Sequence, residues 1–342
     1  MLTTNLEQYL AECREMVLEE IHDIVPDNRY RPILYDLILD YPLRVGKAFR
    51  PSLCIATCRA LGGRLQDVVH TAAVLELLHN AFLVHDDLED GSELRRGSPT
   101  LHQQYGVPIA VNVGDGAFVL TLQPLLDNMQ LLGMTKALRI LQIIARMTRE
   151  SVEGQAIELD WVRRGDWSLR DRDYALMVHK KTCWYTFIAP MHIGAVITEQ
   201  DAAQMALLRR FGSFVGIAFQ IQDDVLNLVA NEVRYGKEIG GDLWEGKHTL
   251  ILLHMMRTAT SAGCLEAQRR LNKPRQEKTA EDIDVLYELI HATASIEYAQ
   301  GVAYALAEKA EGLLQNAYAW MPPSVHREFI NSMTQHVIRR DK

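Results

Sequence analysis

The sequence predicts an all-α fold, and the main reason is a helical spacing of apolar residues along almost the whole chain. Apolar side chains recur three and four residues apart in LEQYLAECREMVLEEI, ALRILQIIARMTRESVEGQAIEL and YAQGVAYALAEKAEGLLQNAY, which is the period of an amphipathic helix. No convincing alternation of apolar and polar residues predicts strands. The 342 residues, 48% of them hydrophobic, can bury a large core in one large domain or two modest ones.

Four stretches interrupt the helical pattern with glycine, proline or charge, and we predict that each is a loop between helices. They cover residues 106–116, 163–171, 235–247 and 272–279. These stretches resemble loops more than linkers between domains. The sequence therefore favours one domain over residues 1–342.

Composition narrows the classes of function. The net charge of -8 and the sequence pI near 5.9 argue against a surface for nucleic acid or anionic membranes, which requires a basic excess. Five cysteines without CxxC spacing predict neither a disulfide framework nor a zinc site. The N-terminus lacks a signal-peptide pattern, and no apolar run reaches the ~20 residues of a membrane span. We therefore expect a cytoplasmic protein without a membrane span or a nucleic-acid partner.

Two similar ten-residue segments stand out because each ends an apolar run with acidic residues. The segments are AFLVHDDLED at 81–90 and AFQIQDDVLN at 218–227. On a helix, positions i, i+1 and i+4 fall within an arc of about 100°, so these polar side chains are predicted to share one face in each segment. The faces hold Asp86, Asp87 and Asp90 in the first segment, and Asp223, Asp224 and Asn227 in the second.

These groups, the first and second acidic clusters, have two interpretations. A single cluster of this kind is explained equally well as a solvated helix end. Two clusters, each after an apolar segment that must be buried, favour carboxylates at the mouth of an interior cavity. Hard carboxylate oxygens suit Mg²⁺, which keeps several waters and bridges to phosphates. The pattern thus predicts that the clusters face each other and hold one polyphosphate through several Mg²⁺ ions.

Basic residues supply candidate sites for phosphate groups. Lys47 and Arg50 lie one turn apart at a predicted helix start, and both suit phosphate binding. Arg95 and Arg96 follow the first acidic cluster and suit the same role. Three lysines lie beside glycine-rich turns or near the clusters, although each alone is better explained as a surface charge. They are Lys181, Lys237 and Lys247.

The motifs around these residues resemble those of the trans-isoprenyl diphosphate synthases, the polyprenyl synthetase family. The matching segments follow the family order from about residue 40 to 255: GKAFRP, ELLHNAFLVHDDLEDGSELRRGSPTLH, EGQAIELD, KKT, GIAFQIQDDVLNL and YGKEIGGDLWEGKHTL. The resemblance implies a single all-α domain, a large helical bundle around a deep central cavity, that forms a homodimer. It also implies a reaction that joins isopentenyl diphosphate head to tail to an allylic diphosphate.

The resemblance assigns roles to individual positions. It implies about three Mg²⁺ ions per active site, held by Asp86, Asp87, Asp90, Asp223, Asp224 and Asn227. It implies a homoallylic diphosphate pocket formed by Lys47, Arg50, His79 and Arg96. It implies an allylic diphosphate site formed by Arg95, Lys181, Thr182, Gln220, Lys237 and Lys247. The residues expected to act in catalysis are Asp86, Asp87, Asp90, Arg95, Lys181 and Asp223.

His79 agrees with this assignment by geometry as well. It lies seven residues before Asp86, and seven residues return to the same face of a helix. Spacing alone is nevertheless better explained by a core histidine that bonds to a backbone carbonyl.

Such a reaction has definite physical needs. Cleavage of the allylic carbon–oxygen bond leaves a carbocation and a diphosphate, so Mg²⁺ as Lewis acid, together with Arg95 and the lysines, must stabilise the leaving group. An apolar cavity shields the cation from water while the isopentenyl double bond attacks it. A proton is then lost, and the departed diphosphate is the expected acceptor because no protein base is obvious nearby.

The chain departs from the family pattern at two positions. Asn227 stands where many members have aspartate, as in many geranylgeranyl diphosphate synthases, and its amide oxygen can still meet a metal or a metal-bound water. Val45 replaces the first glycine of the usual GGK, which can alter the turn before Lys47. Neither difference argues against activity.

Product length is expected to depend on Ala81 and Phe82, which precede Asp86 by five and four residues. In the family these positions help to form the floor beneath the growing chain, and farnesyl-length enzymes usually carry an aromatic residue at the position of Ala81. The small side chain predicts a deeper pocket and geranylgeranyl diphosphate as product, with farnesyl or longer products as alternatives. Phe82 has a second interpretation as core packing.

Three other functions stay open at the level of sequence. A terpene cyclase also ionises a prenyl diphosphate in an all-α cavity, but it does not need the second diphosphate pocket of GKAFRP, His79 and Arg96. A metal phosphohydrolase could use the His-Asp pair in HDD, which leaves the repeated aspartates unexplained. A non-catalytic subunit that regulates a partner synthase would typically have lost aspartates or basic residues that this chain retains.

Overall fold

A computed structural model describes residues 6–44, 46–229 and 239–338. Helices dominate these ranges, and the strands among them are a single pair of two residues each. This confirms the predicted all-α fold class. Contacts group the chain into two compact units, and α-helices continue from one unit into the other. The prediction of one domain around a central cavity stays a prediction.

The helices are numbered in chain order. The first ten are α1 Leu6–Ile24, α2 Tyr35–Leu43, α3 Phe49–Ala60, α4 Val69–Glu89, α5 Leu101–Tyr105, α6 Val107–Leu120, α7 Leu122–Leu131, α8 Met134–Arg164, α9 Asp171–Val178 and α10 Ala189–Ile197. The next seven are α11 Ala202–Val229, α12 Gly241–Glu245, α13 Leu250–Thr258, α14 Ser261–Leu271, α15 Ala280–Ala292, α16 Ser295–Ala317 and α17 Val325–Ile338. A π-helix, His179–Ile188, joins α9 to α10, and 3₁₀ turns cover Arg31–Ile33, Leu65–Asp67 and Arg275–Glu277.

Unit 1 contains the described residues up to Met147, together with Tyr185–Arg210 and Leu313–Met333. Its central element is α4, in which every side chain from Thr71 to Ala81 is buried. A helix that is buried all round must be covered on several sides, and α1, α3 and α6 pack against it. The first acidic cluster follows where α4 leaves this core.

A short β-ribbon follows α4 and carries two arginines. Strands β1 (Leu94–Arg95) and β2 (Ser98–Pro99) pair in antiparallel fashion. Both residues of the connecting turn have left-handed backbone, with φ of 53° at Arg96 and 76° at Gly97, as in a type I′ hairpin. Strands of two residues are too short for an alternating pattern, so the sequence could not predict them.

Unit 2 contains Thr148–Trp184 and Phe211–Gly312, with the end of α17. Helices α14 and α15 are joined through Asp282, whose side chain is 2% exposed. Its Oδ1 accepts hydrogen bonds from Arg270 Nη1 at 2.6 Å and from Lys273 Nζ at 2.8 Å. A buried carboxylate requires such cationic donors, and these bonds hold the two helices together.

Two of the predicted loops are confirmed. The segment 163–171 lies between α8 and α9, and the segment 272–279 lies between α14 and α15. The prediction for 235–247 falls partly outside the described residues, and within its described part 241–245 form the short helix α12.

The prediction of a loop over 106–116 is wrong, because α6 begins at Val107 and continues through this segment. Gly106 has φ of 83° and caps the start of the helix. Gly114 lies inside α6, where a Cβ atom would be 2.3 Å from Nε2 of His85 on α4. Glycine here allows two helices to approach closely, so it does not mark a loop.

Helices α6 and α7 include a segment, Val107–Leu131, that is long and apolar enough to cross a membrane by length and composition. The segment carries Asp115 and Asp127, so it is not an uninterrupted apolar run. Within its most apolar window, 39% is buried, and core helices of other proteins meet the same criterion. The segment is weak evidence for a membrane span.

Candidate active site

The first acidic cluster lies at the C-terminal end of α4. Asp86 and Asp90 are both half-buried, and the backbone amide of Asp90 donates to the carbonyl of Asp86 at 2.9 Å. These two side chains therefore lie one turn apart on the same side of the helix. Asp87 is turned inward, with its side chain 1% exposed. This differs from the single common face that the spacing predicts for all three.

Asp87 is held by two buried partners. Nε of Arg95 donates to Oδ1 of Asp87 at 2.9 Å, and Nη2 of Arg95 makes a second, shorter contact with the same oxygen. The hydroxyl of Tyr41 donates to Oδ2 at 2.6 Å. Burial is the largest influence on Arg95 and lowers its pKa, but Asp87, together with Asp86 and Tyr41, raises the pKa of the guanidinium above its ordinary value. In this structure Arg95 therefore forms a buried ion pair with Asp87. Its binding of the allylic diphosphate stays a prediction.

Two residues of the predicted homoallylic pocket are in contact. Nη1 of Arg50 lies 3.1 Å from Nε2 of His79, and the Arg50 guanidinium covers the ring of Tyr185 at 4.2 Å from the centroid. Because a guanidinium only donates, Nε2 of His79 accepts, and the proton of the neutral imidazole is on Nδ1. His79 thus bonds through Nε2 to a side chain of its predicted pocket.

Gly46 lets Arg96 approach the segment that carries Lys47. A Cβ atom at position 46 would lie 2.8 Å from Cζ of Arg96, so any other residue would displace the guanidinium. Nη1 of Arg96 donates to the carbonyl of Tyr41 at 2.6 Å. Burial, followed by neighbouring arginines, lowers the pKa of Arg96 against the opposing charge of Glu76. The predicted homoallylic residues therefore come from neighbouring segments of unit 1, where crowded cations favour an anionic ligand.

Ala81 and Phe82 precede the first acidic cluster on α4. Ala81 is 1% exposed. Phe82 is half-buried and meets Tyr185 edge to face, with ring centroids 5.8 Å apart. Phe82 therefore contacts the same tyrosine that supports Arg50. Its roles as cavity floor or as packing stay predictions.

The second acidic cluster lies near the end of α11 in unit 2. As in the first cluster, the second aspartate is buried, with Asp224 6% exposed. Its Oδ2 accepts from the hydroxyl of Tyr174 at 2.7 Å, and its Oδ1 from Nε2 of Gln220 at 2.9 Å. Burial, reinforced by the charge of Asp242, raises the pKa of Asp224. The Thr182 hydroxyl donates to Oε1 of Gln220 at 2.9 Å, so two predicted diphosphate ligands adjoin this cluster.

Asn227 connects the second cluster to the start of α12 through two hydrogen bonds. Its Oδ1 accepts from the backbone amide of Asp242 at 3.1 Å, and its carbonyl accepts from the amide of Gly240 at 2.7 Å. An amide side chain therefore serves here as a structural acceptor. Its role as a metal ligand stays a prediction, as does that of the half-buried Asp223.

Lys181 lies in the π-helix and pairs with an acidic residue of α8. Its Nζ is 2.5 Å from Oε2 of Glu158. The two elements approach closely at Gly154, where a Cβ atom would lie 2.3 Å from the backbone nitrogen of Lys181. π-Helices occur frequently at functional sites. Nothing in the apolar pattern of this segment distinguishes it from an α-helix.

The other two predicted lysines follow the second cluster. Nζ of Lys247 lies 2.7 Å from Oε2 of Glu245 and 4.0 Å from Oδ1 of Asp242. Lys247 is thus placed beside the acidic residues of α12. Lys237 lies outside the described residues.

The donor set of the two clusters fits Mg²⁺. Asp86, Asp90 and Asp223 offer carboxylate oxygens from half-buried positions, and hard oxygens are the ligands that Mg²⁺ prefers. Within the described ranges, no three His, Cys, Asp or Glu side chains are arranged to hold a metal ion by themselves. Because Mg²⁺ keeps several waters, water would complete its coordination at either cluster.

Sequence reasoning missed the side chains that hold these clusters. Tyr41 lies 46 residues from Asp87 in sequence, and Tyr174 lies 50 residues from Asp224, so no short-range pattern links them. Glu158 could have been identified from the sequence, because it lies within the motif EGQAIELD. That motif carried no assigned role.

An all-α fold that carries one Asp-Asp segment near the end of α4 and another near the end of α11 is typical of the all-α prenyltransferases. The family model described as polyprenyl synthetase matches residues 32–290, which is most of the chain. The chain belongs to the polyprenyl synthetase family and is a prenyltransferase. The predicted family and enzyme class are therefore confirmed.

Known proteins similar to this chain differ in the product that their names give. A geranylgeranyl diphosphate synthase of Sulfolobus acidocaldarius is 31% identical over 298 residues, 86% of each chain. An octaprenyl diphosphate synthase of Haemophilus influenzae is 30% identical over 86% of this chain and 85% of its own. The crystal structure of a polyprenyl synthase of Caulobacter crescentus, complexed with calcium and isoprenyl diphosphate, is 28% identical with a TM-score of 0.86, covering 98% and 97% of the two chains.

Proposed function

We propose that the protein is a Mg²⁺-dependent enzyme that condenses isopentenyl diphosphate with an allylic diphosphate and yields geranylgeranyl diphosphate. The observation that carries the proposal is the arrangement along α4, where Asp86 and Asp90 follow His79, which contacts Arg50. One helix thus presents an acidic site for a metal-bound diphosphate and a basic site for a second diphosphate. The second site favours a condensing enzyme over a terpene cyclase, which ionises a single diphosphate.

In this mechanism the side chains bind and orient the two substrates. Asp86 and Asp90 would hold Mg²⁺ at the first cluster and Asp223 would hold it at the second, and the metal would supply Lewis acidity at a leaving diphosphate. Arg50 binds the homoallylic diphosphate through charge-assisted hydrogen bonds. Its contacts with His79 and Tyr185 hold the guanidinium plane, so little further ordering is needed when the substrate binds.

Bond formation then needs no side-chain nucleophile. The allylic carbon–oxygen bond breaks, the electron pair leaves with the diphosphate, and the isopentenyl double bond forms the new carbon–carbon bond. A proton adjacent to the resulting cation goes to the departed diphosphate. Apolar side chains around the chain-binding region exclude water, which would otherwise capture the cation.

The relatives support parts of this proposal unequally. The Caulobacter crescentus structure contains calcium and isoprenyl diphosphate together, which supports a metal-bound diphosphate. The names of the other relatives include both geranylgeranyl and octaprenyl products, so the product length proposed here depends on Ala81. Farnesyl or longer products remain the alternatives.

A product assay tests the proposed function directly. The purified full chain is incubated with Mg²⁺, isopentenyl diphosphate and, in turn, dimethylallyl, geranyl and farnesyl diphosphate, and the products are identified by mass. We expect geranylgeranyl diphosphate that requires both substrates and disappears with chelator. A hydrocarbon formed without isopentenyl diphosphate would indicate a cyclase, and an inactive folded chain would indicate a non-catalytic partner subunit.

The product length is expected to shorten in Ala81→Phe. An aromatic ring would fill volume that the last isoprene unit needs, while the metal and diphosphate residues are unchanged. Overpacking at this buried position costs about 1–3 kcal/mol of folding free energy. Mass analysis should find farnesyl diphosphate as the main product, whereas Phe82→Ala should lengthen the product if Phe82 forms the floor.

A matched control separates packing from chain length. Ala73 is also fully buried on α4, so Ala73→Phe overpacks the same helix and should leave the product length unchanged. An unchanged product distribution in a stable, active Ala81→Phe enzyme would remove the physical support for geranylgeranyl diphosphate.

We also propose that the enzyme is a cytoplasmic homodimer. Helices α6 and α7 expose apolar side chains that a second copy of the chain could cover, among them Val107, Val119, Leu122 and Leu126. All five cysteines are free, which suits a reducing compartment. Sedimentation of the full chain measures the oligomeric state.

A further inference from the structure

Two tyrosines occupy equivalent positions relative to the two acidic clusters. In unit 1 the Tyr41 hydroxyl donates to Oδ2 of Asp87 at 2.6 Å. In unit 2 the Tyr174 hydroxyl donates to Oδ2 of Asp224 at 2.7 Å. Each tyrosine is thus bonded to the second aspartate of an Asp-Asp pair. The similarity between the two ten-residue segments therefore extends to partners that lie far away in sequence.

Tyr41 connects several parts of the first site. Besides donating to Asp87, its hydroxyl accepts from the backbone amide of Leu101 at 3.3 Å, and its carbonyl accepts from Arg96 at 2.6 Å. The guanidinium of Arg44 covers its ring at 4.6 Å from the centroid. Tyr41 is 1% exposed. The buried hydroxyl of Tyr41 therefore bonds both the first cluster and the start of α5. Its backbone carbonyl bonds Arg96, a residue of the predicted homoallylic pocket.

Tyr174 has the corresponding place in the second site. It is 2% exposed on α9, and its hydroxyl donates to the carboxylate of Asp224, which only accepts. With Gln220 bonded to the other oxygen, both carboxylate oxygens of Asp224 have partners within the protein.

These contacts give the two aspartates of each Asp-Asp pair different surroundings. The second carboxylate, on Asp87 or Asp224, is buried and accepts hydrogen bonds from the protein. The first carboxylate, on Asp86 or Asp223, is half-buried and lies next to it in the chain. Because the two positions are 100° apart on a helix, holding the second side chain inward keeps the helix in one rotational position and so sets the side on which the first carboxylate lies.

We infer that Tyr41 and Tyr174 are positioning residues, and that each orients the first aspartate of its own cluster, Asp86 or Asp223, for Mg²⁺ binding by holding the neighbouring aspartate. This inference rests on the proposed function, because it concerns the same Mg²⁺ sites. Both tyrosines are proposed to act through the aspartate that they bond, so they are positioning residues and not catalytic residues. Partners one layer behind metal ligands commonly change metal affinity by about 10- to 100-fold when they are removed.

The experiment removes each hydroxyl and measures ligand binding apart from turnover. Tyr41→Phe and Tyr174→Phe keep the ring and lose the donor. The thermal unfolding midpoint of each full-length variant is measured alone and with Mg²⁺ and inorganic pyrophosphate at increasing concentration, since a ligand that binds the native state raises the midpoint. The Mg²⁺ concentration for half-maximal turnover is measured in parallel.

Matched controls remove buried or partly buried tyrosine hydroxyls that do not bond either cluster. In unit 1, Tyr9 bonds Nδ1 of His326 at 2.8 Å, and in unit 2, Tyr298 donates to Asp171. Tyr9→Phe and Tyr298→Phe therefore report the cost of losing a tyrosine hydrogen bond alone. A loss of stability that all four variants share is attributed to the missing tyrosine hydrogen bond and not to weaker Mg²⁺ binding.

We expect the Tyr41→Phe and Tyr174→Phe variants to need about tenfold more Mg²⁺ for the same rise in the unfolding midpoint and for half-maximal turnover. The two control variants should need the same Mg²⁺ concentrations as the unmodified protein. Equal Mg²⁺ requirements in all four variants would overturn the inference while the proposed function stands. No prenyl product from the unmodified protein would overturn the proposed function instead. Each tyrosine tests the inference by itself, so a variant that does not fold leaves the other to decide.

Discussion

Asp86→Ala is expected to lose most of its turnover and to keep its fold. The side chain of Asp86 is 26% exposed, and its oxygen lies 3.8 Å from Nη2 of Arg95, so its removal leaves the buried ion pair of Arg95 in place. A group that stabilises charge in the transition state typically contributes about 100- to 1000-fold to kcat. Asp223→Ala should behave alike, because Asp223 has the corresponding place in the second cluster.

The measurement compares kcat at saturating substrates with the thermal unfolding midpoint. Glu89→Ala is the matched control, because Glu89 is an exposed acidic residue in the same last turn of α4 and has no proposed role. We expect all three variants to unfold within a few degrees of the unmodified protein, with turnover lost in the Asp86 and Asp223 variants alone. Near-normal turnover in Asp86→Ala would contradict the proposed metal site.

Asp87→Ala is expected to have the opposite effect and to destabilise the protein strongly. The change leaves the Arg95 guanidinium, 7% exposed, without its buried carboxylate, and the Tyr41 hydroxyl loses its acceptor. Breaking one side of a buried ion pair costs about 3–5 kcal/mol of folding free energy. Urea unfolding of the full chain measures the difference, with Asp86→Ala expected to lose under about 1 kcal/mol.

A double variant identifies the cause of that loss. In Asp87→Leu/Arg95→Met both charges are replaced by apolar side chains, and removing a buried pair together is often neutral or stabilising. We expect the double variant to recover much of the free energy of unfolding that Asp87→Ala loses. Equal stability of Asp86→Ala and Asp87→Ala would show that the Asp87–Arg95 pair is not what holds this part of α4.

Local patterns in the sequence were sufficient for the fold class and for finding the clusters. The helical periodicity of the three segments described above corresponds to α1, α8 and α16, and the two DD segments lie near the ends of α4 and α11. The fold class and the clusters each depend on spacing within a short stretch of chain. The resemblance, by contrast, assigned Arg50 and His79 to one pocket, and these two side chains, 29 residues apart, are in contact.

The features that sequence reasoning missed depend on long-range packing or on backbone geometry. Spacing placed Asp86 and Asp87 on one broad face, but burial against Tyr41 and Arg95 separates them. Glycine in 106–116 was interpreted as a loop signal, although Gly114 serves a close approach of two helices. Neither effect can be recognised without knowing which segments are neighbours in the folded chain.

The separate environments of Asp86 and Asp87 also constrain how a gene of this kind can lose catalysis during evolution. A substitution at Asp86 is expected to leave a folded protein, which would persist and be available for another role. A substitution at Asp87 is expected to increase the unfolded fraction, which cellular proteases remove. Evolution toward an inactive but folded subunit is therefore expected to proceed by substitution of Asp86 and not by substitution of Asp87. The two positions differ in this respect although both are aspartate.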